Sequence, residues 1–207
     1  MACIIMVLWV IAIAFIQNPA NSIATSIVNG TEQINYANLY FFSWLTFLAA
    51  IYTVGVTFRD NFHFGPQFGK WMLLFTASVV LMSTAISSRG AICEAFQGQL
   101  QCDRVKYAVA VGAVGLCISA IAVLMSVCDK MSKAVELLAT GLSTILYFFG
   151  VIFLTSASGP AKVMGNMYFS LWGGCFVSFV LLIGSLFPGS SDVEMENNNA
   201  SHQEDQI

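Results

Sequence analysis

Five apolar runs in this chain are each long enough to cross a bilayer, and a sixth at the N-terminus is borderline. A hydrocarbon core about 30 Å thick needs roughly 20 apolar residues in helical form, each contributing about 1.5 Å. Six such segments would occupy roughly 120 of the 207 positions and leave only short connections. Composition agrees: 57% of residues are hydrophobic, 9% are charged and mean hydropathy is +0.78, which excludes an ordinary soluble domain. The runs are continuously apolar over about 20 residues, whereas a barrel strand alternates over about ten, so the reading is helical. The expected fold class is all-α: a polytopic transmembrane helical bundle of six spans, or five if the first segment is a cleaved signal.

Charge, glycine and proline mark the boundaries. The first run, Cys3–Ile16, ends at Gln17-Asn18-Pro19; it has no positive n-region but contains Ala12-Ile13-Ala14, so it reads as a retained span with signal cleavage as the alternative. The second, Leu39–Phe58, closes at Arg59-Asp60, and the third runs from Trp71 to about Ile86 between Lys70 and Arg89. Lys106 precedes the fourth, which continues to Val127 and stops at Asp129-Lys130. Val135–Thr155 is broken by Gly159-Pro160, and Met167–Phe187 by Pro188-Gly189. Two domains follow: residues 1–187 as the bundle and 188–207 as an acidic, disordered tail. The body carries eight bases against six acids, whereas the tail carries five acids and no base. Without a basic cluster there is no nucleic-acid footprint. Tyr40, Trp44, Trp71, Tyr107, Tyr168 and Trp172 fall near predicted span ends and read as interfacial anchors.

Sidedness rests on chemistry. Placing residue 20 outside puts Arg59, Lys70, Lys130 and Lys133 on the cytosolic side and Arg89, Arg104, Lys106 and Lys162 opposite, an even division that decides nothing. Asn29-Gly30-Thr31 is an N-glycosylation acceptor in the first outer loop, making Asn29 the expected glycan site of a glycoprotein. Cys93 and Cys102, nine residues apart in the next outer loop, are expected to form a disulfide, which an oxidising compartment permits. Both features point to the secretory pathway or plasma membrane with a cytosolic C-terminus. Cys3, Cys117, Cys128 and Cys175 read as small packing residues, with Cys3 and Cys128 as secondary acylation candidates.

Small residues predict where helices meet. Ala108, Gly112, Gly115 and Ser119 lie at spacings of four and three on the fourth run, so their missing bulk lets another helix approach closely. Packing within the bundle is the expected use, and a homo-oligomer contact the alternative. Gly141 with Ser143, and Gly165, Gly173 and Gly174, repeat the feature on a smaller scale. On the second run Ser43, Thr46, Thr53 and Thr57 either line the interior or bond back to their own helix.

The function classes narrow by what the spans omit. No ionisable residue sits in the middle of any run, which argues against proton- or ion-coupled transport. The two histidines, His63 and His202, form no zinc-binding cluster, and no nucleophile accompanies Asp60 and His63, so no metal, cofactor or catalytic role is expected. The tail ends in Asp205-Gln206-Ile207, where Asp205, the terminal Ile207 and its carboxylate resemble a ligand for a PDZ-type scaffold. The expectation is a non-enzymatic structural or interaction protein whose partners are membrane lipids, other membrane proteins and a cytosolic scaffold. A small channel or facilitator is the alternative.

Overall fold

The computed structural model describes residues 2–28, 31–62, 67–95, 100–128, 130–162 and 164–187. Six α-helices follow in order: α1 (Ala2–Ile16), α2 (Ala37–Phe62), α3 (Phe68–Ala95), α4 (Leu100–Val127), α5 (Lys133–Leu154) and α6 (Asn166–Leu186). The last five are long and apolar enough to cross a bilayer. At 15 residues, α1 is about 22 Å long, shorter than a hydrocarbon core, and it lies against α2. The chain is thus a polytopic transmembrane helical bundle.

Between α1 and α2 the sequence builds a small antiparallel hairpin, β1 (Thr25–Val28) and β2 (Thr31–Ile34), with Thr25 opposite Ile34 and Val28 opposite Thr31. This element was not expected from hydropathy, because it lies in a polar connection. It anchors to the bundle through its base: the Ala24 amide donates to the Ile16 carbonyl at 3.2 Å, and the Asn35 amide to the Ala24 carbonyl at 2.9 Å. Asn29 lies outside the described residues, as do His63 and the whole of 188–207, including Asp205 and Ile207.

Helices α3 to α6 close a ring in which α3 meets α4, α4 meets α5, α5 meets α6, and α6 returns to α3. Each turns one stripe inward, as on α5, where Thr140, Ser143, Tyr147, Gly150, Val151 and Leu154 are buried at helical spacing. Trp71, Leu74, Leu81, Leu171 and Leu181 fill the centre with Tyr147. Outside this ring, α2 packs on α3, and a second cluster of Ile13, Phe47 and Ile51 joins α1 to α2.

The helices extend further than hydropathy alone indicates. The third reaches Ala95 rather than Ile86 and the fourth starts at Leu100, so Cys93 and Cys102 sit on helix ends instead of in an open loop. They form a disulfide with Cα atoms 4.8 Å apart, which ties α3 to α4. Polar residues continue a helix once it emerges from hydrocarbon, which is why an apolar run understates its length.

Three further expectations are corrected. Tyr40 and Trp71 are fully buried in protein, not interfacial anchors. Gly141 and Gly173 face open space, whereas Gly150 and Gly174 make the close contacts of α5 and α6. Cys117 and Cys128 are exposed, so neither fills a gap in the core.

Candidate functional site

Two places concentrate chemistry: the interior of the ring and the seam where α2 lies against it. Inside the ring, Tyr147 carries a bulky polar side chain into the middle of four helices. Its hydroxyl bonds to Ser78 Oγ at 2.7 Å, and Ser78 Oγ also donates to the Leu74 carbonyl at 2.8 Å. Room for the ring comes from Gly115 of α4 and Gly174 of α6. A Cβ on Gly115 would stand 2.9 Å from the Tyr147 hydroxyl, and one on Gly174 would overlap the ring itself.

All four small residues singled out on α4, Ala108, Gly112, Gly115 and Ser119, lie on its buried stripe. A Cβ on Gly112 would come within 2.8 Å of the Met82 backbone, so this position lets α3 and α4 touch. In hydrocarbon, where apolar burial gives no advantage over lipid, such close approach supplies the van der Waals attraction that holds helices together.

Polar groups are unevenly distributed along the ring. Toward the end opposite the hairpin, Gln67, Ser119, Ser126, Thr140, Ser143 and Ser178 are buried. Among the described residues, Gln67 Oε1, Trp71 Nε1 and Ser143 Oγ have no hydrogen-bond partner there. Leu81, Ala85, Val105, Ala108, Leu154 and Leu171 make the hairpin half more apolar, with Ser170 as a buried hydroxyl bonded to the Met167 carbonyl.

The threonines of α2 do not add to this interior. Thr46, Thr53 and Thr57 are exposed, and their hydroxyls donate to the carbonyls of Phe42, Ala49 and Thr53. Only Ser43 faces protein, where Gln17 Nε2 donates to its Oγ at 2.7 Å. The Gln17 carbonyl accepts from Thr25 Oγ1 at 3.0 Å, so this glutamine joins α1, the hairpin and α2.

At the seam, α2 and α6 stand apart over α3 and leave an apolar groove of about 720 Å³. Such a volume falls in the range of small-molecule sites, roughly 300–1,000 Å³. Trp44 lies on one wall and Trp172 on the other, Leu73 and Ala77 make the floor, and Phe41 meets Phe169 edge-on across the groove with ring centroids 5.1 Å apart. The end nearest the hairpin is closed by a polar clasp: Tyr40 Oη donates to Asn166 Oδ1 at 3.0 Å and Trp44 Nε1 to the same oxygen at 3.3 Å. No sequence signal located this groove, because its walls come from helices more than a hundred residues apart.

The remaining charges are peripheral. Lys106 pairs with Asp103 at 3.0 Å on an exposed face, and Arg104 donates to Ser156 across the α4–α5 end. Among the described residues no three His, Cys, Asp or Glu side chains converge as metal ligands. Comparison with protein-family models, curated proteins and solved structures finds no match to this chain.

Proposed function

We propose that the chain is a non-enzymatic membrane protein whose packed four-helix core serves as a rigid platform, presenting the α1–α2 pair, the hairpin and the tail to partner proteins. The observation that carries this reading is the ring interior. Tyr147 occupies its centre, wedged against Gly115 and Gly174 and bonded to Ser78, which is the construction of a solid core. The partners are other membrane proteins or a second copy, with a PDZ-type scaffold at the terminal Asp205-Gln206-Ile207.

The disulfide and the hairpin whose strands flank Asn29-Gly30 of the acceptor sequence belong to the same end of the chain path, and the disulfide and a glycan both suit the secretory route. On that basis the hairpin end is extracellular or lumenal, the C-terminus cytosolic, and the location the plasma membrane or secretory pathway. Recovery of a stoichiometric partner with the full chain from mild detergent tests the platform role. A monodisperse chain that brings down no protein in any native membrane would count against it. Tag accessibility in intact and permeabilised cells tests the orientation.

One observation favours the second reading, a channel or facilitator. Buried polar atoms normally have partners, and Gln67 Oε1, Trp71 Nε1 and Ser143 Oγ have none among the described residues, which suits bound water in the polar half of the ring. Selective flux of ions or neutral solutes through protein reconstituted in liposomes, absent from empty liposomes, would support it.

A further inference from the structure

We propose that the groove between α2, α3 and α6 is a seat for one acyl chain of a phospholipid in the leaflet adjoining the hairpin. Its dimensions select that occupant. Lining positions run from Tyr40 to Leu48 on α2 and from Phe169 to Val177 on α6, which is about 12 Å along each axis. Half of a hydrocarbon core is about 15 Å, so the groove extends over most of one leaflet and stops near the midplane. A partner's transmembrane helix spans about 30 Å and is about 10 Å across, and it would need a groove running the full length of the bundle.

Chemistry agrees with shape. The lining is almost wholly apolar, and the polar atoms at the closed end are already bonded to one another through Asn166. Nothing there requires a hydroxyl or a charge from the ligand, which distinguishes a hydrocarbon tail from a sterol presenting its polar end. Leu45 and Phe176, 61% and 70% exposed, flank the opening between α2 and α6 on the outer surface of the bundle, where lipid tails are the surrounding solvent. Aromatic walls supply dispersion contacts that a fluid neighbouring chain does not.

Gly173 makes the idea testable. It lines the groove, and a Cβ built on it meets nothing within 4 Å, so a larger side chain there starts out into open space and takes up room in the seat. Gly141 also faces open space but does not line the groove, and it provides the control. The full chain is placed in nanodiscs with phosphatidylcholine bearing a diazirine on one acyl chain, irradiated, and its adducts mapped by mass spectrometry. Adducts are expected to concentrate on the α2 and α6 segments holding Trp44 and Trp172, to fall at least fivefold in Gly173→Leu and to persist in Gly141→Leu. Phe176→Ala, an exposed change at the groove mouth, should lower them without affecting folding and so serves if Gly173→Leu is poorly folded. Uniform labelling of every lipid-facing helix, equal labelling in all variants, or displacement by a sterol photoprobe or by a second copy of the chain would overturn the proposal. Because the readout is a lipid adduct, it is independent of whether a protein partner is recovered.

Discussion

The α3–α6 ring and the α1–α2 pair sit in the same membrane but are held by different means. In the ring, small residues on α4 and α6 let neighbouring helices close on Tyr147, and contact is dense and largely apolar. The outer pair has only a modest cluster around Ile13, Phe47 and Ile51, supplemented by directed hydrogen bonds through Gln17, Ser43, Tyr40 and Asn166. Interdigitation makes a rigid body, whereas a few polar clasps position an appendage and leave a seam beside it. The groove is the result of that second mode of attachment.

Substitutions should separate the two modes. The largest effect is expected from Tyr147→Ala, which empties the middle of the ring; by analogy with other aromatic truncations it should cost about 3–5 kcal/mol, read as reversible unfolding in bicelles. A loss below about 1 kcal/mol would mean that the ring is not packed around this side chain. Next comes Cys93→Ser. Opening a closure of nine residues' separation should cost about 2–3 kcal/mol by the chain-entropy account, and reducing the wild-type protein should match it.

Asn166→Ala acts on the outer pair. It removes the acceptor shared by Tyr40 and Trp44, and with membrane hydrogen bonds averaging about 0.6 kcal/mol the loss should be about 1 kcal/mol. Amide exchange should quicken in α1 and the hairpin while the ring stays protected; faster exchange throughout would erase the distinction between the regions. The smallest change is Ser143→Ala, expected within about 0.5 kcal/mol of wild type or slightly stabilising, because the buried hydroxyl has no partner among the described residues. A clear destabilisation would instead reveal a bound water bridging it to the core, and would strengthen the hydrated reading of that half.

Much of this was legible beforehand, and the reasons for success and failure are physical. Long apolar runs give helices because hydrocarbon leaves the backbone no other partner, so all the spans were visible. The pairing of Cys93 with Cys102 was visible too, since both cysteines lie close together in sequence. The Ala108–Ser119 stripe was readable from helical spacing, but its neighbour was not, because spacing names a face without naming what it meets. Burial of Trp71 and Tyr40 was missed for the same reason: a tryptophan near a span end suits headgroups unless another helix covers it. The hairpin carries a local signal that hydropathy does not register. Asn29-Gly30 is a dipeptide strongly associated with two-residue hairpin connections, and it stands in sequence between Thr25–Val28 and Thr31–Ile34, where it also forms part of the glycan acceptor.

The clasp at Asn166 also sets an order in time. Tyr40 and Asn166 are 126 residues apart in the chain, whereas α3 and α4 are near neighbours joined by their own covalent tie. Local helix pairs form soon after synthesis, and distant contacts wait for the chain that supplies them. The first two helices must therefore remain in the membrane without their final neighbour until α6 arrives. A protein truncated before residue 166 would keep the α3–α4 pair but never acquire the seam or what it holds.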